Sequence, residues 1–287
     1  MDTFNPESLK NLYIPNPQSH KGQNGKLLII AGSTLFHAAS IWPLTVASRM
    51  LDMVFYSSVP ENNEIVQKSK EDFMNGIVVR RDNLDSYIKE ADCILIGPGL
   101  PRTEGKEAED DDTKELTERL LQNYPDKKWV IDGGSLQVIN PEILLTLKTR
   151  PILTPHQGEF EMIRIKSQKL KVKNAVQNSK VEEQTAVFAK EYNCVVLLKG
   201  QGDIIASPDQ VISVSGGNAG MTKGGTGDVL AGLVASLYCK NDDPFLVASA
   251  ASYINKKAGE ELSKSMGIYF NASDLASEIP KFLKELL

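Results

Sequence analysis

The chain has 287 residues, 41% of them hydrophobic, and a formal net charge of -5. That hydrophobic share supports a substantial core, while the net negative charge and the scattered Lys and Arg residues offer no basic face for nucleic acid. No apolar run approaches the ~20 residues that cross a bilayer, and Met1 to Pro6 lacks the basic start and apolar segment of a secretory signal, so the expectation is a cytoplasmic protein without a membrane partner.

Short β-rich runs at residues 27–31, 54–59, 77–80, 93–97, 129–132, 151–154 and 195–199 alternate with segments of helical periodicity at 38–51, 113–123, 141–147 and 181–192. That alternation predicts a largely parallel sheet with helices on both faces, in a single domain covering residues 1–287. Cys93, Cys194 and Cys239 are far apart and two of them sit in apolar runs, which reads as buried free thiols. The acidic run from Glu107 to Asp112 imitates a metal site, yet successive side chains point in different directions and repel one another, so a solvated loop leading into a helix is expected. Residues 164–180, rich in Lys and Asn, read as an inserted surface loop or lid. Residues 203–206 and 211–214, separated by Ser207-Pro208-Asp209-Gln210, predict a hairpin. Two helices follow at the end, over 243–263 and from a cap at Asn271-Ala272-Ser273-Asp274 to residue 287, with Pro280 bending the last or marking its first turn.

The most informative stretch lies just before these helices. Six glycines occur between Gly216 and Asp228, and the run from Val229 to Tyr238 that follows has its apolar residues on one helical face. A helix entered this way presents unpaired N–H groups and a partial positive charge, so Gly225, Thr226 and Gly227 form a candidate anion hole. Asp228 at the same place is either an N-terminal cap or a base that takes a proton from a hydroxyl nucleophile. Anion hole and carboxylate together point to phosphoryl transfer. Lys199-Gly200-Gln201-Gly202-Asp203 follows an apolar strand, as do His156 and the turn Gly97-Pro98-Gly99-Leu100, which places all three at the strand ends where α/β proteins bind ligands. Lys223 contacts a phosphate or faces solvent on this reading.

Gly224 to Gly232 resembles the signature of the ribokinase-like superfamily, and Leu153 to Phe160 together with Asn218 to Met221 resembles the ADP- or ATP-dependent NAD(P)H-hydrate dehydratases. The resemblance implies a three-layer αβα sandwich with a mostly parallel central sheet and a late antiparallel hairpin. It implies repair of hydrated NADH or NADPH: a phosphoryl group passes from ADP or ATP to the ring hydroxyl, and phosphate is then eliminated. Asp228 would be the catalytic base and would also touch the substrate, together with Ala39, Gly97, Gly99 and His156. Lys199, Gly200, Gln201, Gly202, Asp203 and Gly227 would bind the nucleotide, with Asn218, Glu159 and Asp132 in support. Glu159 either caps the helix after His156 or helps to hold Mg²⁺ through water, and no set of metal ligands is assigned. The bifunctional members carry an epimerase domain for which this chain is too short, and homo-oligomers, dimer or tetramer, are common in the family.

Four positions depart from the family pattern: Asp203 stands for a frequent threonine, Pro101 for the last glycine of Gly-Pro-Gly-Leu-Gly, Ala38 for the glycine before Ala39, and Gly134 for the second aspartate of Asp-Ala-Asp-Ala-Leu. The competing expectations are a ribokinase-like kinase acting on a vitamin precursor or sugar, and a nucleotide-binding homologue without chemistry, against which the intact Asp228 argues.

Overall fold

A strand covered on both faces must be apolar at every position, and Leu27 to Ile30 meet that demand with no exposed surface at all. In the computed structural model, which describes residues 1–102, 110–167 and 179–286, such runs assemble into one ten-stranded sheet. Its strands are β1 (Asp2–Thr3), β2 (Lys26–Ile30), β3 (Met53–Ser57), β4 (Ile77–Val78), β5 (Cys93–Ile96), β6 (Lys128–Ile131), β7 (Ile152–Leu153), β8 (Val195–Leu198), β9 (Asp203–Ala206) and β10 (Val211–Val214). They lie in the order β1-β10-β9-β8-β7-β6-β5-β2-β3-β4. From β4 across to β8 every pairing is parallel. β9 runs antiparallel to both β8 and β10, so the expected late hairpin is present and the turn at Gly200 belongs to a second one. β1 pairs in parallel with β10; two polar residues carry no periodicity, and this edge strand was not expected.

The helices are α1 (Ala38–Ala47), α2 (Pro60–Lys68), α3 (Leu84–Glu90), α4 (Thr113–Asn123), α5 (Gly133–Val138), α6 (Gln157–Lys166), α7 (Val181–Glu191), α8 (Thr226–Lys240), α9 (Pro244–Met266) and α10 (Ala272–Leu286). Side chains of a strand alternate between faces, and the core divides accordingly. Leu27, Ile29, Leu95, Val130 and Leu197 pack against α1, α8, α9 and α10, whereas Leu28, Ile30, Ile94, Ile131 and Val196 pack against α3, α4, α6 and α7. Each fully buried aliphatic side chain contributes about 1.5–3 kcal/mol relative to exposure. The sheet is therefore a rigid base for the loops at its ends.

Several expectations shift locally. Residues 141–147 form a 3₁₀ turn (Pro141–Thr146), because Asn140 caps it and Pro141 opens it but the segment is too short for an α-helix. The described part of the acidic run is not a solvated loop: Asp110 accepts the Thr34 amide at 2.8 Å and its hydroxyl at 2.9 Å, Asp111 pairs with Arg81 at 2.9 Å, and Asp112 caps α4 through the Glu115 amide at 3.0 Å. Tertiary partners, invisible locally, neutralise the repulsion. Pro280 sits inside α10 and not in its first turn, which is held by Asn271 and Asp274 as expected. Most of the expected surface loop, 168–178, and Glu107 to Glu109 lie outside the described residues. The three cysteines are buried and free. No helix among the described residues is long and apolar enough to cross a membrane.

Candidate active site

Because β2, β5, β6, β7 and β8 are parallel, the loops that leave them emerge along one edge of the sheet. At that edge the backbone turns touch directly. Gly32 N–H donates to the Pro98 carbonyl at 2.7 Å, and Gly134 N–H donates to the Gly97 carbonyl at 3.0 Å. Gly97 has φ +119°, and a Cβ there would overlap the Asp132 carbonyl, so the approach requires glycine. A Cβ on Gly99 would press on Ala39 and Phe36. Ala39, Gly97 and Gly99, expected on the substrate side, thus form one cluster beside Asp132.

The next loops along the edge carry charge. Lys199, at the end of β8, places Nζ 3.0 Å from Asp132 Oδ1 and 3.9 Å from Glu159 Oε2. Thr154 Oγ1 donates to the same Asp132 oxygen at 2.7 Å, and Gln137 Nε2 donates to Glu159 Oε1 at 3.3 Å. Burial alone would depress Lys199, but the fields of Asp132, Glu159 and Asp228 together hold its ammonium above the ordinary lysine value. Asp228, in the first turn of α8, meets the opposite situation. Burial and the neighbouring Asp132 and Glu159 charges outweigh Lys199 and Arg102, and the carboxyl is pushed up to about 8. Such a carboxyl is a far stronger base than an ordinary aspartate.

Glu159 also closes a capping box at the start of α6: its Oε2 accepts the His156 amide at 2.9 Å, while His156 Nδ1 accepts the Glu159 amide at 3.2 Å. That bond leaves the His156 ring proton on Nε2 in the neutral form. Among the described residues no three His, Cys, Asp or Glu side chains gather into a metal site.

The glycine loop supplies the other wall. Gly225 has φ +93°, and a Cβ there would overlap the Trp42 ring; a Cβ on Gly227 would lie 3.4 Å from Lys199 Nζ. The helix entrance is thereby pressed between Trp42 and Lys199. The first i to i−4 bond of α8 is Val229 N–H to Gly225 O at 3.0 Å, which leaves the amides of Gly227 and Asp228 without a partner among the described residues. Thr226 turns inward, its hydroxyl donating to Met221 O at 2.6 Å and its amide to Lys223 O at 3.3 Å. Asn218 supports the loop by accepting the Gly220 amide at 2.8 Å and donating to Gly259 O at 2.7 Å. Lys223 is exposed, the second of the two readings, and on the surface it donates to the Ile268 carbonyl and lies 5.4 Å over the Phe270 ring.

A cavity of about 580 Å³ lies between the Lys199–Gly200 turn and the glycine loop, with His156, Gln201, Asp203, Asn218, Thr226 and Gly227 among its walls. Most of the residues expected at the nucleotide therefore share one cavity. Gly202, Gly225, Asp228, Asp132, Glu159, Ala39, Gly97 and Gly99 do not line it; the Lys199–Asp132 ion pair joins the cavity to the cluster of Ala39, Gly97 and Gly99. Asp203 is nearly buried within the cavity wall and holds the turn through the Gly200 amide at 2.9 Å. Three residues escaped the sequence reading. Trp42 backs Gly225; Arg102, stacked 5.4 Å over the Phe36 ring, adds positive field at Asp228; Lys256 pairs with Asp203 at 3.2 Å. Only Arg102 left a signal, as a cation directly after the Gly97 to Pro101 turn.

Known proteins match the chain over nearly its whole length. The chain is 33% identical over 297 residues to the ADP-dependent (S)-NAD(P)H-hydrate dehydratase of Nitrosopumilus maritimus, covering 96% of this chain and 95% of that one. It is 34% identical over 284 residues to the bifunctional NAD(P)H-hydrate repair enzyme of Methanocaldococcus jannaschii, where 96% of this chain spans 51% of the relative's length. The fold is shared with the ADP/ATP-dependent NAD(P)H-hydrate dehydratase of Bacillus subtilis co-crystallised with ATP and Mg²⁺, at a TM-score of 0.77 and 23% identity over 100% of this chain and 99% of that one. The family model described as carbohydrate kinase, NAD(P)H-hydrate dehydratase, matches residues 27–281, and the chain belongs to the NAD(P)H-hydrate dehydratase family.

Proposed function

We propose that the protein dehydrates hydrated NADH or NADPH at the expense of ADP or ATP. One observation carries the reading: a carboxyl pushed up to about 8, Asp228, sits in the first turn of α8 directly after Gly227, which lines a cavity large enough for a nucleotide. Hydroxide is a poor leaving group and phosphate a good one, so the chemistry divides into two steps. Asp228 takes the proton of the ring hydroxyl as its oxygen attacks the terminal phosphorus of the nucleotide; the bond from that phosphorus to the bridging oxygen breaks, leaving AMP from ADP or ADP from ATP. The ring C–O bond then breaks with phosphate as the leaving group, a proton leaves the adjacent ring carbon, and the double bond returns.

The phosphoryl step needs positioning and charge neutralisation more than covalent help. The amides of Gly227 and Asp228 face the charge that develops, and Lys199, kept protonated by its carboxylate neighbours, holds the first turn of α8 against the sheet edge. Asp132 and Glu159 give an oxygen-only donor set beside this hole, which fits Mg²⁺ held mainly by phosphates and water. Bound there, Mg²⁺ would neutralise phosphate charge. His156 and the Gly97–Gly99 turn flank the place left for the hydrated ring.

Phosphorus NMR of the reaction tests the reading against its kinase rival. The dehydratase releases inorganic phosphate in step with reduced cofactor; a stable phosphorylated organic product without phosphate release would replace it with a kinase.

A further inference from the structure

The turn between β8 and β9 owes its shape to a buried ion pair. Asp203 and Lys256 are 5% and 6% exposed, and Lys256 Nζ, from the middle of α9, reaches Asp203 Oδ1 at 3.2 Å, the Gly200 carbonyl at 3.2 Å and the Gln201 carbonyl at 3.3 Å. All three ammonium donors are used. Asp203 in turn accepts the Gly200 amide at 2.9 Å on Oδ1 and the Ser252 hydroxyl at 2.7 Å on Oδ2. No cis peptide bond occurs among the described residues, and a trans peptide points its N–H opposite to its C=O. Drawing the carbonyls of Gly200 and Gln201 onto Lys256 therefore turns the amides of Gln201 and Gly202 the other way. Neither amide has a hydrogen-bond partner among the described residues.

We infer that Lys256 and Asp203 are positioning residues for the nucleotide: through the Gly200 and Gln201 carbonyls they fix the shape of the Lys199–Gln201 stretch that lines the cavity. The inference rests on the proposed nucleotide-dependent reaction. An ion pair serving stability alone would sit anywhere in the core; this one grips the wall of the cavity through two main-chain carbonyls. It also accounts for an aspartate where a shorter hydroxyl side chain is the familiar choice, since only a carboxylate balances the lysine that pulls the turn. Removing one partner leaves the other charged and buried, so the turn relaxes.

The test is a steady-state and calorimetric comparison of wild type with Lys256→Met, Asp203→Asn and the double variant, with thermal melts confirming that each is folded. The expected result is a rise of about tenfold or more in KM and Kd for ADP or ATP, with kcat at saturating nucleotide and KM for the hydrate changed by no more than about twofold. Asp203→Asn keeps an acceptor for the Gly200 amide and carries the test if Lys256→Met does not fold. Unchanged nucleotide KM in a folded variant, or nucleotide and hydrate KM rising together, overturns the inference. Wild type that binds no nucleotide would instead sink the proposed function.

Discussion

Asp228 is the residue on which structure and chemistry bear most directly. Its carboxyl titrates at about 8 in the folded protein and near 4 when unfolded, so the folded state holds a proton that the unfolded state releases between those values. Stability contributed by that proton is complete below pH ~4 and is lost as pH rises through about 8. Replacing Asp228 by Asn removes the loss. We predict that Asp228→Asn is more stable than wild type at pH 8, by on the order of 2 kcal/mol, with the difference vanishing near pH 4 in denaturant titrations. A difference that persists at pH 4 would show that Asp228 is not the source. The same titration governs activity: the base must be ionised, so kcat/KM should rise with pH and level off above about 8, while a flat profile from pH 6 to 9 would remove the base role. Asp228 was legible in the sequence because a carboxylate after a glycine loop has few other uses. Lys256 was not, because a cation in a helical run reads as solvated until the fold shows what it faces, and Arg102 left only its place after the Gly97 to Pro101 turn.

At the scale of elements, the substrate edge is built from backbone pressed on backbone. A Cβ on Gly134 would overlap the carbonyl oxygens of Leu100 and Pro101, so α5 can start here only with glycine. Two departures from the family pattern, Pro101 and Gly134, thereby prove to be neighbours: the strand end that carries the proline closes over the place a second aspartate would fill. Gly134→Asp should lower the melting temperature by several degrees, through overpacking that costs about 1–3 kcal/mol, and should raise KM for the hydrate more than for nucleotide. An unperturbed melting temperature would mean that the turn yields freely. Gly225→Ala tests the other side of the site. Its left-handed backbone and the Trp42 ring both oppose a methyl group, and turnover should fall by about tenfold or more as the α8 entrance shifts. The hairpins and the glycine-to-helix junction could be read from sequence because local turn chemistry specifies them. The acidic run could not: Asp110 and Asp111 are satisfied by Thr34 and Arg81, partners some 76 and 30 positions away.

For the whole molecule, the parallel order of β6, β7 and β8 brings Asp132, Glu159 and Lys199 to one edge, and the first turn of α8 adds Asp228, so that the four form a single electrostatic unit. Alternating apolar runs disclose the sheet and its two covered faces, but strand order and the pairing of β1 with β10 depend on long-range packing that periodicity does not encode. Since the cavity joins β8, α8 and α9, its ligand should stabilise the assembly globally: ADP at about 100 times its Kd adds about 2.7 kcal/mol, and Asp228→Asn should show the same shift as wild type.

The central claim is chemical, and recovery of NADH absorbance from chemically prepared NADH hydrate tests it most directly, with Mg²⁺ and either ADP or ATP and with wild type beside Asp228→Asn. Rapid recovery by wild type, about a thousandfold faster than by a variant that still binds nucleotide, is the predicted result. Recovery at equal rates in both proteins would contradict the assignment of Asp228 as the base, and no recovery by wild type despite bound nucleotide would contradict the dehydratase itself.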